Sequence, residues 1–183
     1  MRVAVFGGSF NPPHLGHVLA CSWLLARGEV DHVLVVPAYR HAFGKALAPF
    51  ELRMELARAA FGPLAHVAVD PIERLLAGES RTVHTLEALL RLHPTWALRL
   101  VVGTDVLAES EKWYRFERVV ELAPLIVLPR GDGSKPSPLP VISSTEIRRR
   151  LREGVHADAD ALMPRAVLDL LDADAVRALV NGS

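Results

Sequence analysis

Two histidines three residues apart, His14 and His17, lie in the segment of this chain best suited to chemistry, at residues 7–17. That segment reads Gly-Gly-Ser-Phe-Asn-Pro-Pro-His-Leu-Gly-His and stands between an apolar run and a helical pattern. Glycines let the backbone approach a ligand closely, and the N–H groups at the start of a helix favour an anion. On a helix both histidines would share one face and could donate to one phosphate group. We therefore predict a phosphate site; the plainer alternative is a strand-to-helix turn with two solvated histidines.

A second polar segment, at residues 142–148, reads Ile-Ser-Ser-Thr-Glu-Ile-Arg and begins another helical pattern. Ser143 and Glu146 have the spacing of a capping box, which by itself indicates only a helix start. Three consecutive arginines, at residues 148–150, place positive charge in turns where the helix dipole disfavours cations by up to about 1 kcal/mol each. A bound anion would reverse that effect for an arginine that faces it. We predict that Arg148 is such a ligand and that the other two arginines form a solvated face.

The elements that must position these residues alternate along the chain. Strand-like apolar runs lie at residues 2–6, 32–37, 67–70, 97–102 and 125–128. Helical patterns lie at residues 15–26, 50–60, 82–92, 113–122, 144–152 and 162–180, the last one broken near Asp172. This alternation predicts an α/β fold, a Rossmann-like doubly wound and mainly parallel sheet with helices on both faces. Ligands of such sheets lie beyond the carboxyl ends of the strands, where the glycines at residues 7–8 would stand.

Bulk properties predict one compact domain over residues 1–183, with a C-terminal helical part from residue 143. Half of the residues are hydrophobic, and the formal net charge is zero, which argues against a general surface for nucleic acid or membrane. No apolar run reaches the ~20 residues that span a bilayer, so we expect a cytoplasmic protein. The terminal helices could pack on their own sheet or against another subunit, which leaves a homo-oligomer open.

At residues 7–17 and 142–148 the chain resembles the nucleotidyltransferase superfamily with HxGH and SSTxIR-type signatures, and more closely the nicotinate-nucleotide adenylyltransferases of NAD biosynthesis. The resemblance implies that ATP and a pyridine mononucleotide bind, and that the 5′-phosphate of nicotinate mononucleotide attacks the α-phosphorus of ATP. The products would be nicotinate adenine dinucleotide and pyrophosphate, and Mg²⁺ would arrive with ATP. The catalytic residues that it implies are His14, His17, Lys45 and Arg148.

The resemblance also assigns binding residues. Those for the adenine nucleotide are Gly7, Gly8, Ser9, Phe10, Gly103, Asp105, Arg130, Ile142, Ser143, Ser144 and Thr145. Those for the acceptor are Arg81, Thr82, Thr85 and Trp113, the last of which matches a tryptophan that stacks on the pyridine ring. Without the resemblance, Asp105 fits a helix N-cap equally well, and Trp113 would be read as a core residue.

Two departures from the family pattern concern the acceptor. Many relatives have a Pro-Pro-His-Lys stretch after the second strand, where this chain reads Tyr-Arg-His-Ala-Phe-Gly-Lys and still supplies Lys45. Relatives carry an aromatic residue at the position of Arg81, which could pair with a carboxylate on the pyridine or point to solvent. The alternatives are therefore an enzyme for another acceptor, such as nicotinamide mononucleotide, phosphopantetheine or a sugar phosphate, and a module that senses nucleotides with almost no turnover.

Overall fold

The structure of the protein, a computed structural model, describes residues 1–40, 46–76, 81–104, 113–129 and 138–181. Five strands lie within these ranges, namely β1 (Arg2–Gly8), β2 (His32–Pro37), β3 (Val67–Val69), β4 (Ala97–Gly103) and β5 (Leu125–Leu128). The helices that lie wholly within these ranges, up to β5, are α1 (Leu15–Ala26), α2 (Phe50–Phe61), α3 (Ile72–Leu76), α4 (Thr82–Leu92) and α5 (Phe116–Leu122). After β5 follow α6 (Ser144–Arg152), α7 (His156–Asp160), α8 (Arg165–Leu168) and α9 (Ala173–Asn181).

The five strands form one sheet in the order β3-β2-β1-β4-β5, and every neighbouring pair is parallel. The prediction of a doubly wound α/β sheet is therefore confirmed. The chain moves outward in one direction from β1 through β2 to β3, and then in the other through β4 to β5, so the strand order reverses between β1 and β4. A crevice at this reversal, beyond the carboxyl ends of β1 and β4, is where ligands of such sheets bind.

Both faces of the sheet are covered, because side chains alternate along each buried strand. On β1, Ala4 and Phe6 join a core cluster with α1, α2 and the helices after β5. Val3 and Val5 join a second cluster with α3, α4 and α5 on the opposite face. The C-terminal helices thus pack on the sheet of their own chain, and Leu179 of α9 is completely buried there.

The helix predicted at residues 113–122 is wrong at its start, since α5 begins only at Phe116. Arg115 precedes it with a positive φ of 56°, a left-handed conformation that an α-helix does not admit. Trp113 therefore lies before the helix. The predicted break in the last helix is confirmed: the Asp172 carboxylate accepts hydrogen bonds from the backbone N–H groups of Asp174 (3.0 Å) and Ala175 (2.8 Å).

The short helices α3 and α7 were not predicted, because five residues hold too little of a helical period to be seen. Within the described ranges, no helix combines the length and the apolar content that a membrane crossing needs.

Candidate active site

His14 and His17 stack on each other at the start of α1, with ring centroids 3.7 Å apart and an interplanar angle of 23°. Both are buried, and the backbone N–H of His14 donates a hydrogen bond to Nδ1 of His17 (3.2 Å). Because Nδ1 accepts this bond, the hydrogen of a neutral His17 ring lies on Nε2. The edge of Phe10 packs on the same ring at 4.9 Å between centroids. Nε2 of His17 is thereby prepared as a donor.

The three glycines of this region differ in what a Cβ atom at their position would meet. A Cβ at Gly16 would lie 3.1 Å from two ring atoms of His14 and 3.5 Å from Cβ of Ile142. A Cβ at Gly8 would lie 3.1 Å from the ring of Phe10. Gly7 is exposed, and a Cβ there would meet nothing within 4 Å. Among these three glycines, open space for a ligand therefore lies beside Gly7, whereas the other two admit side chains of the protein.

Phe10 lies in the middle of the glycine turn, the segment of residues 7–14, with a φ of 46°. Its ring is 1% exposed and meets Phe6 and Phe61 edge-on at 5.6 Å each. The ring of this predicted nucleotide contact thus belongs to the core below the turn. With the residue as a whole 1% exposed, Phe10 supports the turn from below.

The helix α6 docks against the glycine turn through its first residues. Ser144 Oγ donates to the carbonyl of Pro12 (2.8 Å), and Arg148 Nη1 donates to the carbonyl of Asn11 (2.7 Å). The two segments singled out in the sequence, more than 130 residues apart on the chain, are therefore in contact, as a shared phosphate site requires. One expected donor is already engaged: the N–H of Leu15, the first residue of α1, donates to the carbonyl of Leu162 (2.9 Å).

Two buried donors beside this contact have no acceptor among the described residues, Nε of Arg148 and Nδ2 of Asn11. Leaving a buried donor unsatisfied costs about 1–3 kcal/mol, and more when the group is charged. Burial also lowers the pKa of Arg148 below its usual range, an effect that the charge of Arg152 reinforces. A guanidinium nevertheless keeps its proton at neutral pH. The junction of α6 and the glycine turn therefore holds unused donor capacity among the described residues.

Only half of the capping box predicted for α6 forms. Ser143 Oγ accepts from the N–H of Glu146 (3.1 Å), as expected. The Glu146 carboxylate accepts instead from Arg149 Nη2 and Arg150 Nε, both at 2.7 Å, and these guanidinium groups lower its pKa to about 2. Arg149 is half exposed, whereas Arg150 is more buried and also donates to the carbonyl of Asp158 (3.1 Å).

Three of the residues predicted to bind the acceptor substrate lie in α4, next to it, or in the segment before α5. Arg81 is the N-cap residue of α4, and its guanidinium carbon lies 4.4 Å from the ring centroid of Tyr114. Trp113, the neighbour of Tyr114, is half-buried and meets Phe116 edge-on at 6.1 Å. Thr82, the first residue of α4, is half-buried. The structure thus brings Arg81 close to the aromatic pair at residues 113–114.

A buried arginine that sequence reasoning missed ties the glycine turn to its surroundings. Arg53 in α2 is 1% exposed and donates to the carbonyls of Ala48 (2.9 Å), Ser9 (2.9 Å) and Tyr39 (3.4 Å). Burial lowers its pKa to about 10, and the negative charge of Glu73 opposes that shift. The signal was present in the sequence, since residue 53 follows Phe50 by three positions and so falls on the apolar face of the helix.

Glu73 in α3 is the second missed residue. Its carboxylate accepts hydrogen bonds from the N–H of Tyr39 (3.0 Å) and from the hydroxyl of Thr85 (3.1 Å). Thr85, one of the residues predicted to bind the acceptor substrate, is buried. No sequence signal marked it, because α3 itself is too short to be recognised from its pattern.

Lys45, Asp105 and Arg130 lie outside the described residues. Gly103 ends β4 opposite Leu128 of β5 and is buried at the carboxyl edge of the sheet. In the part of the chain that the structure describes, no three His, Cys, Asp or Glu side chains are grouped closely enough to hold a metal ion.

Comparison with known proteins agrees with this geometry. The sequence model of the cytidylyltransferase-like family matches residues 5–150. A probable nicotinate-nucleotide adenylyltransferase of Anaeromyxobacter dehalogenans (strain 2CP-C) is 49% identical over 179 residues, which is 94% of each chain. One of Myxococcus xanthus is 36% identical over 91% of this chain and 90% of its own.

Solved structures of the same activity class share the fold. A protein of Vibrio parahaemolyticus assigned as a nicotinate-nucleotide adenylyltransferase superimposes with a TM-score of 0.73 at 27% identity, over 93% of this chain and 99% of its own. The nicotinic acid mononucleotide adenylyltransferase of Plasmodium falciparum, complexed with NaAD, superimposes with a TM-score of 0.72 at 19% identity, over 92% and 93%. With nearly half of its residues identical to a relative across almost its whole length, the chain belongs to the nicotinate-nucleotide adenylyltransferase family.

Proposed function

We propose that this protein transfers the adenylyl group of ATP to nicotinate mononucleotide in NAD biosynthesis. A 5′-phosphate oxygen of the mononucleotide forms a bond to the α-phosphorus of ATP, and the bond from that phosphorus to the β-phosphate oxygen breaks. The products are nicotinate adenine dinucleotide and pyrophosphate. The observation that carries the proposal is the pair of buried donors, Arg148 Nε and Asn11 Nδ2, which lack an acceptor among the described residues and lie where α6 meets the glycine turn.

The reaction needs no general base, because the attacking phosphate is already ionised at neutral pH. The protein must instead position the two substrates and supply positive charge. Catalysis then depends on holding two anions in line and on stabilising the charge of the transition state. In this proposal, His17 Nε2 and Arg148 donate to the phosphates of ATP. The backbone N–H groups of Ser144 and Thr145 add the positive end of the α6 dipole. His14 and Lys45 complete the catalytic set.

The nucleoside of ATP would lie beyond the carboxyl ends of β1 and β4, beside Gly7 and Gly103. Open space at Gly7 supports this part of the proposal; Gly8 and Ser9 would offer backbone groups, and Phe10 would hold the turn from the core side. The remaining residues proposed to bind the adenine nucleotide are Asp105, Arg130, Ile142 and Ser143.

The acceptor would lie between α4 and the segment before α5. In this proposal Trp113 would stack on the pyridine, and Thr82 and Thr85 would frame it from α4. Arg81 places a cation 4.4 Å from the ring of Tyr114, in the same neighbourhood. A cation here favours the carboxylate of nicotinate over the uncharged amide of nicotinamide.

Mg²⁺ is proposed to enter with ATP and to neutralise phosphate charge during the transfer. It would be held mainly by phosphate oxygens and water, which this ion prefers to an all-protein cage. The donor set fits that arrangement, because the groups that converge on the phosphate site are cationic or N–H donors rather than carboxylates. We further propose that residues 1–183 act as one domain in the cytoplasm.

Pyrophosphate release tests the proposal. The protein is incubated with ATP and Mg²⁺ and, side by side, with nicotinate mononucleotide, nicotinamide mononucleotide or phosphopantetheine. We expect release with the nicotinate substrate to exceed that with the other two clearly. Activity with a different acceptor alone would overturn the assigned substrate and keep the phosphate chemistry. Binding of ATP without release from any acceptor would identify a nucleotide-sensing module.

A further inference from the structure

Arg53 is a buried cation for which the proposed transfer has no direct use. Its side chain is almost completely inaccessible, and burying a guanidinium is costly unless its donors are satisfied. Three of its nitrogens donate to main-chain carbonyls rather than to a carboxylate. These hydrogen bonds hold separate backbone segments together through one side chain.

The three carbonyls belong to three separate segments at the carboxyl edge of the sheet. Ser9 follows β1 in the glycine turn, Tyr39 follows β2, and Ala48 precedes α2. The strands themselves are paired up to Gly8 and Pro37, so Arg53 continues their connection beyond the last backbone hydrogen bonds. Ala48 also donates its N–H to the side chain of Asn11 (3.2 Å), which gives the turn a second attachment.

Glu73 extends this connection to the acceptor side. It accepts from the N–H of Tyr39, whose carbonyl accepts from Arg53, and from the hydroxyl of Thr85 in α4. A continuous series of hydrogen bonds therefore runs from the glycine turn to α4. Its members, in order, are Ser9, Arg53, Tyr39, Glu73 and Thr85.

We propose that Arg53 and Glu73 are positioning residues that hold the glycine turn and α4 at the separation which the adenylyl transfer requires. The inference rests on the proposed function, in which the turn binds ATP and α4 binds the acceptor. Neither residue touches a substrate; each acts through the backbone or side chain of one that does. Because in-line attack tolerates little displacement, a shift of about 1 Å between the two substrates costs on the order of 100-fold in rate.

Four variants test the inference. Arg53→Gln removes the cation and most of its donors, Arg53→Lys keeps the charge but reaches fewer carbonyls, and Glu73→Gln removes the carboxylate. Arg58→Gln is the matched control, since Arg58 is an exposed arginine of the same helix. For each, we would measure kcat, both KM values, the melting temperature, and the affinity for ATP alone and for nicotinate mononucleotide alone.

For Arg53→Gln we expect kcat per folded molecule to fall about 30- to 100-fold, while each substrate alone binds within about threefold of its wild-type affinity. Arg53→Lys should recover about tenfold of that loss, and Glu73→Gln should lose about tenfold. In the double variant the losses should not multiply, because both residues act through the same connection. The Arg58→Gln control should match the wild type.

A lowered melting temperature with unchanged kcat per folded molecule would overturn the inference and leave Arg53 a purely structural residue. If Arg53→Gln does not fold, the kcat of Glu73→Gln decides, since that residue is only half-buried. A wild-type protein that binds ATP but releases no pyrophosphate would overturn the proposed function and this inference together. An active wild type with an equally active Glu73→Gln would overturn the inference alone.

Discussion

The two ring nitrogens of His17 have different roles, one in the structure of the turn and one in the proposed catalysis. Nδ1 accepts a hydrogen bond from the N–H of His14 and so stabilises the start of α1. Nε2 carries the hydrogen that, in the proposed function, is donated to a phosphate oxygen. We expect His17→Ala to lower kcat by about 100-fold or more, as the loss of one transition-state donor does elsewhere. The KM for ATP should change much less. Steady-state pyrophosphate release at varied ATP measures both.

His17→Asn separates the two tasks. Its short amide can still accept the N–H of His14 but reaches no donor out to the position of Nε2. We therefore expect a melting temperature closer to wild type than that of His17→Ala, together with an equally large loss of kcat. Near wild-type turnover in either variant would contradict the assignment of Nε2 to the phosphate.

Trp113 carries the prediction for the acceptor. Its ring is half-buried against Phe116 and lies next to the pair formed by Arg81 and Tyr114. We expect Trp113→Ala to raise the KM for nicotinate mononucleotide about tenfold, because stacking on an aromatic ring contributes about 1–3 kcal/mol per base. The KM for ATP should remain near its wild-type value.

Trp96 offers the control for that substitution. It stacks on His93, with ring centroids 3.8 Å apart, and immediately precedes β4 at the amino end of the sheet. Trp96→Ala should leave both KM values unchanged. Equal increases in the two KM values for Trp113→Ala would indicate a structural role instead of pyridine stacking.

The junction of α1 and α6 explains the glycine between the two histidines. A methyl group at residue 16 would press on the ring of His14 and on Ile142, which leads into α6. Alanine also favours a helix over glycine by about 1 kcal/mol. We expect Gly16→Ala to lower kcat about tenfold or more with little loss of thermal stability, a combination that melting curves and kinetics on the same samples would reveal.

Gly28, just beyond the other end of α1, should behave in the opposite way. Its φ of 66° is strained for alanine, although a Cβ there would meet nothing within 4 Å. Gly28→Ala should reduce the free energy of unfolding by about 1 kcal/mol and leave kcat unchanged. Parallel losses of stability and activity in both glycine variants would argue against a specific role of Gly16.

Sequence reasoning located the long elements and missed what depends on tertiary contact. The apolar runs and helical periods gave α1, α4 and α6 at the bounds observed, because each has at least two turns of consistent pattern. The start of α5 was misplaced, because the left-handed conformation of Arg115 leaves no mark in the residue pattern. Arg53 went unnoticed, because an arginine in an amphipathic helix is usually solvated.

The alternation of strands and helices along the chain is enough to predict the sheet and to place the glycine turn at its carboxyl edge. The contact between that turn and α6 could be anticipated only through the family signature, since no local pattern relates residues more than 130 positions apart. The series of hydrogen bonds through Glu73 depends on side-chain packing, which local periodicity does not encode. The order of the strands and helices was therefore predictable from the sequence, whereas the buried hydrogen bonds of Arg53 and Glu73 were not.

Two solvent-accessible carboxylates, one paired with β1 and one with arginines of its own helix, make the stability of the molecule depend on pH. Asp31, which leads into β2, accepts from the side chain and backbone of Arg2 (2.6 and 2.7 Å), and these bonds lower its pKa to about 2. Glu146 has a pKa of about 2 because of Arg149 and Arg150. The unfolded chain, with ordinary carboxyl pKa values near 4, therefore binds these protons first as the pH falls.

The free energy of unfolding should consequently be highest above about pH 5 and should decrease as the pH falls toward 2. Urea denaturation at about pH 6 and about pH 3 measures that decrease. An Asp31→Asn, Glu146→Gln double variant should show a shallower decrease, because neither position can then take up a proton. Since solvent reaches both pairs, about 1 M NaCl should weaken the difference between wild type and variant. Identical pH profiles at low salt would show that other carboxylates determine the acid sensitivity of this fold.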